Sequence, residues 1–171
     1  TSGAITLDVT SGALTGSAAN LVSAFAGTIT AYTGALTFSD DHTLAQLVAV
    51  NNATSGAIGF NDNTVTLSGS SADVAAALVG TTYNAAVTLT DQATVAQLVA
   101  VNAANAGAIT LNVTNGALSG TAANLTAAFA GTITGYTGAL TVTDQATVAQ
   151  LVAINAATNA AITLDVVNGA L

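Results

Sequence analysis

The sequence predicts an α/β solenoid: repeated strand–turn–strand–helix coils that stack into parallel β-sheets backed by a layer of helices. Three observations predict it. The chain repeats itself throughout with a nearly constant period, the signature of stacked units. Within each unit the hydrophobic pattern changes from a period of two to a helical period at the same place. Finally, 51% of the residues are hydrophobic and only 5% are charged, so each unit has to bury its apolar face against its neighbours.

The unit is clearest at residues 132–160, TITGYTGALTVTDQATVAQLVAINAATNA. Thr132–Tyr136 alternates and is rich in β-branched and aromatic residues, which reads as a strand. Thr137-Gly138 is a turn signal. Ala139–Thr143 alternates again, with Leu140 and Val142 on one face. Asp144 has the character of a helix N-cap, where a carboxylate accepts from free amides and its charge is favoured. From Gln145 to Asn155 the period is helical: Val148, Leu151, Val152 and Asn155 lie at i, i+3, i+4 and i+7. Ala157-Thr158-Asn159 closes the helix and leads into the next strand, Ala161–Leu164.

Two versions of this unit alternate along residues 1–171. Short coils of 24 residues occupy 4–27, 57–80 and 108–131; long coils of 27–29 residues occupy 28–56, 81–107 and 132–160; a partial coil covers 161–171. A short and a long coil make one repeat, with periods of 53, 51 and 53 residues. Equivalent residues are Leu21, Val74 and Leu125, and Phe25, Leu78 and Phe129. Gly27, Gly80 and Gly131 follow the short helices, where a left-handed cap wants glycine. Asp40, Asp91 and Asp144 are the expected N-caps of the long helices. Gln46, Gln97 and Gln150 also recur. Thr1-Ser2-Gly3 repeats Thr54-Ser55-Gly56, and Leu171 repeats Leu14 in mid-unit. The simplest reading is a window of a longer array; the alternative is a subunit whose open ends stack on the next copy.

Parallel stacking places Ile5, Leu7, Val9 and Leu14 inward in the first coil, and Ile29, Leu36 and Phe38 in the second. Turns at Gly12 and Gly34 carry the chain round a corner, giving two parallel sheets and one helix layer. Strands stack at about 4.8 Å, whereas helices pack at about 8–10 Å. The alternation of coil lengths suggests two staggered helix ranks as the solution. Asn51, Asn102 and Asn155 should then form a polar ladder near the helix ends, bonding backbone groups the helices leave free. Tyr32, Tyr83 and Tyr136 should form a second ladder.

Composition narrows the function. The chain has no Lys, Arg, Pro, Cys, Met or Trp, and eight acidic residues give a formal charge of −8. Without cations there is no electrostatic basis for binding nucleic acid or anionic membranes. No stretch is long and apolar enough to span a bilayer as a helix. Trypsin-like proteases have no site, which suits an exposed extracellular location. An enzyme is not expected. A triad needs a base oriented by a third group, yet His42 is the single histidine and occurs in one repeat only.

The segment Leu-Thr-Asp-Gln-Ala-Thr-Val-Ala-Gln-Leu-Val-Ala-Val-Asn-Ala-Ala at Leu89–Ala104 resembles repeats of giant bacterial and cyanobacterial surface or secreted proteins. Leu118–Leu125, Leu-Ser-Gly-Thr-Ala-Ala-Asn-Leu, does so too. The resemblance covers the whole chain and implies an extracellular structural protein: an adhesin stalk, sheath, surface layer, filament or biofilm-matrix fibre. Open β edges would pair with an identical edge, so the expected partner is the chain itself, by axial stacking or covalent continuation and by lateral bundling, with no nucleic acid and no membrane insertion. Such proteins often carry calcium-binding nonapeptides. No Gly-Gly-x-Gly-x-Asp run is present here, so no cofactor is assigned and calcium has only weak support.

Other candidates have plainer readings. His42 beside Asp40 and Asp41 has metal-ligand chemistry, but in a first helical turn it reads as a solvated residue. Asn61-Asp62-Asn63 resembles a calcium loop without the downstream glycine and glutamate, and reads as a turn. The pairs Thr28/Thr30, Thr132/Thr134, Thr37/Ser39, Thr88/Thr90 and Thr141/Thr143 suggest an outward hydroxyl–methyl surface, the basis of an alternative role as an ice- or glycan-binding adhesin module. Short-coil positions Thr6/Asp8, Gly59/Asn61 and Thr110/Asn112 interrupt it, and threonine is a common exposed strand residue. Asn52-Ala53-Thr54, Asn112-Val113-Thr114 and Asn124-Leu125-Thr126 fit the N-glycosylation pattern, as chance allows in an Asn/Thr-rich chain.

Overall fold

The computed structural model describes residues 5–27, 29, 32–133 and 135–165. Expectations resting on Thr1-Ser2-Gly3, Thr28, Thr30, Thr134 and Leu171 lie outside the described residues. Among those described, the elements run β1 (Leu14–Gly16), α1 (Ala18–Phe25), β2 (Leu36–Phe38), α2 (Leu44–Asn51), β3 (Ile58–Phe60), β4 (Leu67–Gly69), α3 (Ser71–Ala77), β5 (Val87–Leu89), α4 (Val95–Ala104), β6 (Ile109–Leu111), β7 (Leu118–Gly120), α5 (Ala122–Ala128), β8 (Leu140–Val142), α6 (Val148–Ala157) and β9 (Ile162–Leu164). This is an α/β chain of short parallel strands alternating with helices.

The strands form three separate three-stranded sheets, β1-β2-β3, β4-β5-β6 and β7-β8-β9, all parallel. The two continuous sheets expected from the sequence are not formed. Leu14 pairs with Leu36 and Leu36 with Ile58; Leu67, Val87 and Ile109 follow the same pattern, as do Leu118, Leu140 and Ile162. Each sheet thus takes its third strand from the beginning of the next repeat. After that strand the chain steps across and starts a new sheet within the same short coil. A single bridge, Ile58 to Thr81, continues pairing beyond β3.

Among the described residues at the starts of the long coils no full strand forms. Tyr32, Tyr83 and Tyr136 make isolated bridges to Thr54, Asn105 and Thr158. In the third repeat Gly135 has φ +72, a left-handed conformation that interrupts an extended run and that glycine adopts without a Cβ clash.

Each central strand buries its first and third residues. Leu36 and Phe38, Val87 and Leu89, and Leu140 and Val142 are all fully buried, while Thr37, Thr88 and Thr141 between them are half-buried on the outer face. Helix residues close the core: Leu47 and Val50 from α2, Val74 and Ala77 from α3, Leu98 and Val101 from α4, Leu125 and Ala128 from α5, and Ile154 from α6. Helices pack on their neighbours in chain order, α1 to α6. The inward placement of Ile5, Val9 and Leu14 is corrected: all three are exposed, and residues 5–13 form no strand. Their counterparts Ile58, Leu67, Ile109 and Leu118 are buried because a neighbouring repeat covers them.

Helix ends differ from expectation as well. The long helices begin three residues later than the aspartates. Thr43, Thr94 and Thr147 are the N-caps, each in a capping box with Gln46, Gln97 or Gln150. Of the glycines after the short helices, Gly80 has the left-handed φ of +67. At Gly131 the requirement is space, since a Cβ would lie 2.1 Å from Asn102 Oδ1.

Candidate functional site: polar ties and open faces at the joints between repeats

The recurring polar residues converge on the contacts between coils. The aspartates cap helices, but not their own. Asp40 Oδ1 accepts from Ala18 N, Asp91 Oδ1 from Ser71 N and Asp144 Oδ1 from Ala122 N, each at 2.7 Å. These are the first residues of the short helices, whose adjacent N-caps Ser17, Ser70 and Thr121 already satisfy a later amide. A carboxylate is favoured there by the exposed amides and the helix dipole. Hydrogen bonds from the Ser71 amide and hydroxyl hold the Asp91 carboxyl below its ordinary value. Each aspartate therefore fastens the end of a central strand to the helix before it.

The asparagines act at the opposite helix ends and reach forward into the next repeat. Asn51 Nδ2 donates to Ala77 O at 2.8 Å and Val79 O at 2.7 Å, and Asn102 Nδ2 donates to Ala127 O at 2.8 Å. These carbonyls belong to the last turns of α3 and α5 and the residues after, where the helix leaves acceptors free. Asn155 holds the same position on α6 and is exposed.

The tyrosines do not stack on one another. Each ring packs on the phenylalanine of its own repeat's neighbourhood: Tyr32 on Phe25 at 5.3 Å, Tyr83 on Phe60 at 5.1 Å and Tyr136 on Phe129 at 5.4 Å. Each hydroxyl donates to a backbone carbonyl of the preceding short coil, two residues ahead of β1, β4 or β7: Gly12, Val65 and, at 2.6 Å, Gly116. Burial raises the Tyr83 hydroxyl to about 12 and also raises that of Tyr136. Two hydroxyls receive a further bond across a repeat joint. Gln92 Nε2 donates to Tyr136 Oη at 3.0 Å, and His42 Nε2 lies 3.2 Å from Tyr83 Oη. The solvated reading of His42 is corrected: the ring is 3% exposed, because Phe38 and Phe60 enclose it at 5.0 and 4.8 Å.

Asn61-Asp62-Asn63 closes a turn. Asp62 accepts from the Thr64 amide and hydroxyl at 2.9 and 2.6 Å, and Asn63 exchanges bonds with Thr82 O and Asn84 N. Among the described residues no group of three or more His, Asp or Glu is placed to hold a metal ion, and no helix is long and apolar enough to cross a membrane. The outward hydroxyl surface reduces to one residue per strand, Thr15-Thr37-Gly59, Ser68-Thr88-Thr110 and Ser119-Thr141-Thr163. It is interrupted wherever a sheet ends.

Among the described residues, one apolar groove and several large apolar side chains are exposed. A groove beside α6 and β9 is lined by Val148, Leu151, Val152, Asn155, Ile162 and Leu164. Val148 and Val152 are 62% and 64% exposed, whereas Val95, the equivalent of Val148 on α4, is 9% exposed and Val99 half-buried. Helix α5 packs against α4, as α3 packs against α2. Val148, Val152 and Asn155 thus lie on the side that α4 turns to α5; the core side is Ile154, matching Val101, with Leu151 at the position of the buried Leu98. Ile5, Val9 and Leu14, at and ahead of β1, are also exposed.

Of these features, only the Thr-x-x-Gln capping boxes were legible as a local motif. The Tyr–carbonyl, Asn–carbonyl and Gln–Tyr ties join residues 18–44 positions apart and leave no local signal beyond the recurrence itself. No family model, no curated protein and no solved structure matches this chain.

Proposed function

We propose that the chain is a structural, non-enzymatic repeat protein of the α/β-solenoid type. In this reading it builds an extracellular or cell-surface fibre, sheath, surface layer or adhesin stalk by end-to-end stacking of coils. The observation that carries the proposal is the recurrence of one joint. The long-helix face and its asparagine are covered by the following short helix at α2–α3 and at α4–α5. The same face, with the same asparagine, is open at α6. The occupant that fits it is the α1 end of a second copy, where a short helix and the exposed Leu14 stand ready. β9 already supplies the strand that Ile5–Leu7 would bring, so the copy docks from Leu14 onward and its strandless 5–13 segment turns aside. The extracellular assignment rests on composition: no protease-sensitive basic residue and almost no charge. The non-enzymatic assignment rests on a lone histidine that is buried and present in one repeat.

Sedimentation of the purified full chain tests the stacking. The wild type should form concentration-dependent oligomers, and Val152→Asp, which places a charge in the groove, should remain monomeric with an unchanged circular-dichroism spectrum. A wild type monomeric at every concentration, or a Val152→Asp variant that still assembles, overturns the end-to-end reading.

A further inference from the structure

His42 stands where the other repeats have alanine, Ala93 and Ala146, both buried. Its ring lies between Phe38 of β2 and Phe60 of β3, stacked on the latter at 27°, with Tyr83 meeting it edge-on at 80°. Phe38 belongs to the first repeat; Phe60 and Tyr83 belong to the second. The imidazole is therefore a filler of the first joint, wedged between residues of both repeats.

The hydrogen bonds fix its tautomer. Tyr83 has one hydroxyl proton, and it goes to the Val65 carbonyl. The hydroxyl oxygen is left as an acceptor, so His42 Nε2 at 3.2 Å carries the ring proton. Gln92 plays the same donor role at the second joint: its amide donates to Tyr136, whose own proton goes to Gly116. His42 Nδ1 is then the bare nitrogen, buried and without any hydrogen-bond partner. A second proton has to enter at Nδ1, creating a cation in an aromatic pocket where the Asp40 backbone is the hydrogen-bonding group that favours it. Burying an unpaired charge is costly. The charged groups around the ring are Asp41 and Asp40 before it in the chain and Asp62 after β3, with Tyr83 neutral. All three carboxylates and the nearby Asp40 backbone favour the cation, but loss of solvent outweighs them and holds the imidazole below its ordinary value. Neither Gln92 nor Ala93 takes up a proton, so the second joint lacks this response.

We propose that His42 makes the joint between the first and second repeats proton-sensitive: the joint loosens as the solution passes from neutral to mildly acidic pH, while the joint between the second and third repeats is unaffected. The unfolded chain takes up the proton near pH 6.5, and the folded joint does so only at lower pH. The contribution of the joint is therefore complete above the unfolded value and is lost as pH falls below it.

Proton NMR of the full chain provides the test, since the single histidine gives one titrating imidazole. Its midpoint should lie below about 6.5. Amide-exchange protection at Phe60 and Tyr83, corrected for intrinsic rates, should fall between about pH 7.5 and about pH 5, while that at Leu111 and Tyr136 holds. Each unit by which the midpoint is depressed should appear as a roughly tenfold loss of protection. In His42→Ala, the residue native to the other repeats, the difference between the joints should vanish. A midpoint at or above the ordinary value, or an equal pH response in His42→Ala, overturns the proposal. The imidazole titration is read on the wild type, so it decides the matter even if the variant folds poorly.

Discussion

At Asp40, Asp91 and Asp144 a carboxylate meets the first amide of a helix some twenty residues earlier, and the residue type alone carried half of that fact. Aspartate near a helix start was legible, because its acceptor chemistry and charge suit the free amides. Which helix it serves was not, because that depends on where the central strand delivers its end. The Thr-x-x-Gln box three residues later was the better local signal for the long helices, and it is present in all three. The trans cap has a consequence in acid. The Asp91 carboxyl binds a proton at lower pH in the folded chain than in the unfolded one. Its contribution is complete above about pH 4 and disappears as pH falls through the folded value. Asp91→Asn should therefore be less stable than wild type near neutrality and should lose less on further acidification. Denaturant midpoints at about pH 7 and about pH 3 measure this; parallel acid curves for the two proteins would show that the bond to Ser71 does not contribute.

Helices α3 and α5 have seven residues each, well below the length at which a helix is stable alone. Their persistence depends on partners. Each has a hydroxyl cap and an aspartate at the front, an asparagine from the previous repeat at the back, and a buried face on the long helices. Short extended segments depend on partners in the same way. Thr132–Tyr136 has strand composition, yet Gly135 is in a left-handed conformation and, among the described residues of the segment, Tyr136 makes a single bridge. Leu140–Val142, no richer in β-formers, is a full strand because β7 and β9 flank it. Local pattern thus identified which residues are apolar and how they alternate, whereas pairing decided which segments became strands. Tyr136 links these elements, donating to Gly116 ahead of β7 and accepting from Gln92 ahead of α4. Removing its hydroxyl takes the donor from the half-buried Gly116 carbonyl, while the exposed Gln92 amide keeps its bond to Ala93 O; the loss of one such hydrogen bond costs about 0.5–1.5 kcal/mol. Tyr136→Phe should show that loss in urea unfolding; a change well below it would mean that water replaces the hydroxyl without penalty.

For the molecule as a whole, the period was legible and the way it closes was not. A row of strands at about 4.8 Å cannot keep step with a row of helices at about 8–10 Å if each coil supplies one of each. The chain meets this with three strands for every two helices and a break in the sheet after each third strand. That solution leaves every repeat with the same apolar joint, and it sets the electrostatics of assembly. All formal charge on the chain is acidic, −8 in total, and no ion pair with a lysine or arginine is available to hold one copy to another. In the stacking proposed above, copies would repel at long range and would meet only through apolar contact and neutral hydrogen bonds. Raising ionic strength shortens the reach of that repulsion from about 30 Å at 0.01 M to about 8 Å at 0.15 M and leaves the apolar contact intact. Self-association should thus strengthen with added sodium chloride, the reverse of an interface built on ion pairs. Sedimentation at fixed protein concentration across that range reads the sign directly. Assembly that weakens as salt rises would place the contact on a charged ligand or ion, and not on the valine face of α6.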